Sequence, residues 1–202
     1  MAYVNTTSGT MKSVAIKMIK SNRPVFFGSD VGQFSDGQMG VMDTDLYDYT
    51  LGFNFSLRMT KADRIRMGAS AMTHAMVLTG VDLDKDGKSV KWRVENSWGV
   101  NRGKGGYFLM TDRWFDEYVY QIVCAFSDAP KELVEVFHRG DAVVLPAWDP
   151  MVCIPVTDIV DLTCLGFFGL SRWQLCCTMS FAYHSQESHQ EFFIELAAIS
   201  PL

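Results

Sequence analysis

His74 and Asn96 are the residues of this chain whose types and surroundings could do chemistry together. An imidazole can take the proton of a neighbouring thiol and make a nucleophile of it, provided a third group fixes its tautomer and ring plane. An asparagine oxygen can be that group by accepting from the other ring nitrogen, the Cys-His-Asn form of a catalytic triad. His74 stands in Met72-Thr73-His74-Ala75-Met76, and Asn96 in Trp92-Arg93-Val94-Glu95-Asn96-Ser97-Trp98-Gly99. Taken singly, a histidine among apolar residues is more often a satisfied core group, and an asparagine at a strand end is more often turn chemistry. The surrounding pattern decides between these readings.

Period-2 alternation predicts the elements that must bring the pair together. Read as a strand, residues 74–81 place His74, Met76 and Leu78 on one face. In residues 90–96, Val90, Trp92, Val94 and Asn96 share the apolar face, while Lys91, Arg93 and Glu95 point to solvent. Between them, Asp82-Leu83-Asp84-Lys85-Asp86-Gly87 suits a hairpin turn that needs positive φ. Such a hairpin sets His74 and Asn96 close at its open end, with Trp98 placed to cover their hydrogen bond as a supporting residue. Further along, Asn96-Ser97-Trp98-Gly99, Gly103 and Gly105-Gly106-Tyr107-Phe108 form a glycine-rich return into another strand.

That asparagine-loop pattern resembles the papain-like cysteine peptidases. From about Met11 to Met151 the chain resembles the carboxy-terminal half of the bleomycin hydrolase family, on Phe26-Phe27-Gly28-Ser29-Asp30-Val31-Gly32, Asp45-Leu46-Tyr47-Asp48, the His74 and Asn96 segments, Glu117-Tyr118-Val119-Tyr120 and Leu145-Pro146-Ala147-Trp148-Asp149-Pro150-Met151. The resemblance implies an α+β fold, the antiparallel β-barrel-type carboxy-terminal half with short helices. It implies a cytoplasmic thiol aminopeptidase acting on peptide amino termini, homocysteine thiolactone and the bleomycin carboxamide, assembled as a homohexamer, with no cofactor and no metal. Carried over residue by residue, it assigns His74 the role of general base and Asn96 that of orienting it.

The departures concern the thiol and the tail. Cys124 reads as a buried strand residue, where a thiol behaves as a small hydrophobe. Cys153, Cys164, Cys176 and Cys177 follow Met151, and none precedes Trp or Tyr as a papain-type nucleophile does. The expected nucleophile is therefore none in this chain, and the isolated chain is expected to be inactive. Residues 1–151 are read as the His/Asn half of a peptidase domain. Residues 152–202 are a Cys-, Phe- and Leu-rich divergent tail in place of the family's short terminus, which would present a carboxylate in the cleft. A non-catalytic chain that binds and poisons full-length oligomers is the alternative reading, and a half-domain that does not fold stably is a third.

Composition agrees. At 48% apolar residues the 202-residue chain can build a core, and its net charge of −5 argues against nucleic acid, whose phosphates demand clustered Lys and Arg. Five cysteines without regular spacing, and no apolar amino-terminal stretch, predict a reducing cytosol, where the sequons at Asn5 and Asn54 are irrelevant. The apolar stretch around Leu162–Leu170 is too short to span a bilayer. Met11, Val14, Ala15, Met18 and Ile19 predict an amphipathic helix behind Thr10, ended at Asn22-Arg23-Pro24 before a strand at Val25. Thr60 with Asp63 predicts a helix start over residues 61–67. Strands are expected at residues 107–110 and 118–126, with a turn of helix at 112–116 between them. Asp82-x-Asp84-x-Asp86-Gly87 begins like a calcium loop, but its twelfth position is Arg93. Trp92, Trp114 and Trp148 are read as packing residues.

Overall fold

The computed structural model describes residues 3–146, 149–151 and 193–198. The readings for Trp148, Cys153, Cys164, Cys176 and Cys177 lie outside the described residues. β1 (Tyr3–Asn5) leads into α1 (Ser8–Lys20), which begins ahead of the expected Thr10 because Thr7 caps it: the Thr7 Oγ1 accepts from the Thr10 N–H at 3.1 Å. Met11, Val14, Ala15 and Met18 are buried along one side of the helix, as their spacing predicts. There follow β2 (Val25–Ser29), β3 (Ser35–Asp36), β4 (Val41–Met42), α2 (Tyr49–Phe53) and α3 (Lys61–Arg66). Thr60 caps α3 as expected, accepting from the Asp63 N–H at 3.2 Å while its hydroxyl donates to the Asp63 carboxylate at 2.7 Å. β5 (His74–Leu83), β6 (Ser89–Glu95), β7 (Tyr107–Thr111), α4 (Asp112–Tyr118), β8 (Val119–Ala125), α5 (Lys131–Arg139) and β9 (Phe193–Ala197) complete the order.

The strands form one nine-stranded mixed sheet in the order β1-β9-β8-β2-β5-β6-β7-β4-β3. The sheet corrects the expectation of an antiparallel barrel in two respects. β4 runs parallel to β7 and β1 parallel to β9, so the sheet is mixed. It is also open. Closure requires the two end strands to share a ladder, whereas β1 and β3 stand at opposite ends and β3 is only 2 residues long. β9 was not foreseen at all: it comes from the stretch after Met151 and takes an interior place between β1 and β8.

One core cluster joins α1 to the central strands through Met11, Val14, Val25, Phe27, Leu78 and Ile122. Leu78 and Ile122 are fully buried, and side chains of this kind contribute roughly 1.5–3 kcal/mol each. Trp92 and Trp114 are packing residues with their indole N–H groups partnered. Trp92 stacks on Phe115 at 5.0 Å and donates to Asp112 Oδ1 at 3.1 Å, and Trp114 donates to the Gln33 carbonyl at 2.8 Å.

The turn after α1 is tied to the turn that follows β8 by a paired-fork ion pair, Arg23 Nη1 and Nη2 to Asp128 Oδ2 and Oδ1 at 2.6 and 2.7 Å. The guanidinium holds the buried Asp128 carboxyl below its ordinary value, against the opposing effect of its burial. A carboxyl depressed by folding stabilises the fold above its unfolded value and loses that contribution as pH falls through the folded one. Thermal unfolding followed from pH about 6 to about 3 is therefore expected to show a steeper acid-side fall in Tm for the native chain than for Asp128→Asn. Parallel curves would show that the pair contributes nothing to acid sensitivity.

Candidate active site

β2, β5 and β6 build the wall that carries the candidate pair. β2 and β5 run antiparallel with Ser29 opposite His74 and Phe27 opposite Met76, which fixes the height of the imidazole on the sheet. His74, Met76 and Leu78 are buried on one face, as alternation predicts. On β6 Trp92 and Val94 are buried, as is Asn96 just past its end, and Lys91, Arg93 and Glu95 are exposed, but Val90 departs from the expectation: it is 41% exposed where the strand nears its turn. β5 and β6 are joined through the turn expected from sequence. There the Asp84 carboxylate accepts from the N–H groups of Asp86 and Lys88 at 2.9 Å, and Gly87 supplies a φ of +79°.

At the open end of the hairpin the His74 Nε2 lies 3.0 Å from the Asn96 Oδ1, and both residues are buried. With the amide oxygen facing the ring, Nε2 donates and Nδ1 is left as the nitrogen able to accept a proton. Trp98 stacks against the imidazole with centroids 5.2 Å apart and planes 28° apart. The edge of Phe108 meets Trp98 in turn at 5.7 Å, and a Cβ added at Gly37 would come within 3.0 Å of the indole. The hydrogen bond is thus roofed by an aromatic side chain that is itself wedged in place, which keeps water from competing for it.

The backbone of Asn96 is positioned from the glycine-rich return. Its N–H donates to the Gly106 carbonyl at 3.1 Å, and the Gly106 N–H donates to Arg102 at 3.0 Å. The close approach occurs at Gly103, which has φ +58° and where an added Cβ would lie 2.4 Å from the Tyr107 carbonyl oxygen. No side chain fits there without moving backbone.

Sequence reading missed the support beneath the histidine. The Ser70 hydroxyl donates to Asp30 Oδ2 at 2.7 Å and meets the Tyr120 hydroxyl at 2.6 Å, all three being buried. Thr73 Oγ1 reaches Asp30 Oδ1 at 3.3 Å, and the Thr73 N–H donates to the Ser29 carbonyl at 3.0 Å. These bonds hold residues 70–73, the approach to His74, against the end of β2. A polar residue directly following a strand, Asp30, was the signal available. Ser29, beside His74 in register, is buried with its hydroxyl unpartnered among the described residues, as is the Asn96 Nδ2.

Cys124 takes no part in the pair. It sits in β8 within the main core, and burial pushes its thiol up to about 12, so it stays protonated. Among the described residues no cluster of metal-ligating side chains occurs.

The geometry predicts a specific proton. In the native chain the His74 Nε2–H, bonded and roofed, is expected to give a slowly exchanging imidazole N–H resonance; Asn96→Ala should abolish it and Trp98→Ala should speed its exchange with water by about tenfold or more. An unchanged resonance in Asn96→Ala would mean that another group accepts from the ring.

Residues 1–152 match the Peptidase C1-like family. Over 149 residues the chain is 47% identical to aminopeptidase C of Streptococcus thermophilus, a match covering 74% of this chain and 33% of that protein. Human bleomycin hydrolase is 45% identical over 152 residues, covering 74% of this chain and 33% of the relative. The crystal structure of PepW from Lactobacillus rhamnosis superposes with a TM-score of 0.68 at 52% identity, over 71% of this chain and 32% of that one. The chain thus spans about a third of the length of the relatives it matches. A papain-like α+β fold and a match across most of the described residues agree: the chain belongs to the Peptidase C1-like family, the family of bleomycin hydrolase and aminopeptidase C.

Proposed function

We propose that this chain supplies the imidazole wall of a cysteine-type aminopeptidase and that the thiol is delivered by another segment of polypeptide. The observation that carries this reading is the roofed hydrogen bond from His74 to Asn96. In the proposed reaction His74 Nδ1 takes the proton of an incoming cysteine, Asn96 holds the ring in the tautomer that leaves Nδ1 free, and Trp98 excludes water from their bond. The thiolate attacks a peptide carbonyl, and the imidazolium then protonates the leaving amine. The names of the relatives support substrates with a free amino terminus and, by the same chemistry, the carboxamide of bleomycin. Homocysteine thiolactone and assembly into a homohexamer are proposed on the family resemblance alone.

The described thiol is buried and held protonated, which supports an isolated chain without turnover. Loss of the nucleophile costs on the order of a million-fold in a hydrolase built on the same logic. The proposed compartment is the cytosol, supported by the unpaired Cys124. One yeast relative, 44% identical, is named a mitochondrial cysteine proteinase, and no helix among the described residues is long and apolar enough to cross a membrane.

Purified chain assayed on an aminoacyl fluorogenic substrate is expected to give the rate of buffer, with His74→Ala no lower. Turnover that His74→Ala removes would overturn the reading that the nucleophile lies elsewhere.

A further inference from the structure

His74 is the first residue of β5, and Asn96 stands one residue past the end of β6. Ladder ends open more readily than strand interiors, so each member of the pair needs an anchor on its outer side. For Asn96 that anchor is the Gly106 carbonyl, which accepts from its N–H at 3.1 Å. For His74 the outer side is residues 70–73, which belong to no helix or strand. One carboxylate reaches three of the four. Asp30 Oδ2 accepts from the Ser70 hydroxyl at 2.7 Å and from the Ala71 N–H at 3.4 Å, and Oδ1 accepts from Thr73 Oγ1 at 3.3 Å. Asp30 is itself fixed through its N–H, which donates to the Tyr118 carbonyl at 3.1 Å.

Asp30 is buried and forms no ion pair among the described residues. Burying a carboxylate without a cation is costly, and apolar packing would stabilise the same place at less expense. What the carboxylate supplies is direction, because a fully partnered buried network rigidifies the groups it joins. The network has one sense. Ser70 gives its single proton to Asp30, so the 2.6 Å contact between hydroxyls is Tyr120 O–H donating to Ser70 Oγ. Burial raises the Tyr120 phenol above its ordinary value, which keeps that proton in place. An irregularity of the sheet aims the phenol there. The ladder of β2 with β8 passes from Gly28 opposite Gln121 to Ser29 opposite Val119, leaving Tyr120 as the extra residue of a bulge. Bulges turn a side chain out of its regular alternation.

We propose that Asp30 is a positioning residue for His74: its carboxylate, oriented through Ser70 and Tyr120, fixes residues 70–73 and so holds the imidazole in reach of both Asn96 and an incoming thiol. A catalytic constellation works only when its members are held within about 0.5 Å and 10–20°. The ladder sets the height of His74 on the sheet through Ser29, and Asp30 sets the direction in which the chain enters β5. The inference rests on the reading of His74 as the proton acceptor, but its readout is the imidazole and not turnover. Turnover by the isolated chain would sink that reading and leave this one standing, and an imidazole indifferent to Asp30 would do the reverse.

The test follows exchange of the His74 Nε2–H with water by NMR in the full chain, with the amides of Trp92 and Val94 in β6 as an internal reference. Asp128→Asn, which removes a buried carboxylate from the turn after β8, is the control for general destabilisation. Asp30→Asn and Ser70→Ala are each expected to speed exchange of the imidazole proton by about tenfold or more over that control, while the two β6 amides change by less than about twofold. Tyr120→Phe leaves the Ser70–Asp30 bond in place and is expected to have a smaller effect in the same direction. A structural role alone would move the amides and the imidazole proton together. If Asp30→Asn does not fold, Ser70→Ala and Tyr120→Phe decide. Imidazole exchange in these variants no faster than in Asp128→Asn, or matched by equal losses at Trp92 and Val94, overturns the proposal.

Discussion

The 3.0 Å hydrogen bond between His74 Nε2 and Asn96 Oδ1 is the point on which the local structure converges, and its strength explains little of that structure. A bond of this kind contributes only about 1 kcal/mol net, far too little to set the sheet around it. The dependence runs the other way. The register that places Ser29 opposite His74, the turn closed by Asp84 and Gly87, the Gly103 close approach and the indole of Trp98 together leave the two side chains one arrangement. Each of these constraints is made within β2, β5, β6 and β7 and their connections. An imidazole with its tautomer chosen is therefore a property of this wall itself and precedes the arrival of any thiol.

What could be read from sequence follows the range over which each signal acts. Alternation over residues 74–78 and 91–96 located the faces of β5 and β6, because a half-buried strand advertises its pleat locally. The Asp-Gly turn and the Thr60 cap were legible for the same reason: their hydrogen bonds span a few residues. The start of α1 was misplaced because two threonines, Thr7 and Thr10, could cap it, and the choice was made by the bond between them. Barrel closure was beyond reach. Whether the ends of a sheet meet is decided by pairings such as β4 with β7, between residues about seventy apart in sequence, that leave no local pattern. The buried cluster of Asp30, Ser70 and Tyr120 was missed likewise, since its members come from separate elements and look individually like turn and strand residues.

The strand from the tail shows how loosely an interior sheet position can specify its sequence. β9 meets the demands of main-chain pairing on both sides and supplies buried side chains at Ile194 and Leu196, and these two conditions suffice to seat it. It does so with no partner, among the described residues, for an acid oxygen of Glu195 or the side-chain oxygen of Gln121. Each unpaired buried polar atom costs on the order of 1–3 kcal/mol, comparable to the gain from one buried aliphatic side chain.

That imbalance bears on how the two properties of the chain separate. The imidazole wall is organised by β2, β5, β6 and β7, in the middle and on one side of the sheet, whereas β9 lies beyond β8 on the other. A change at β9 can therefore alter the packing at that end of the sheet without disturbing the His74–Asn96 bond. The pair that fixes the imidazole and the strand that joins β1 to β8 thus belong to different parts of one sheet, and each is held by contacts the other does not share.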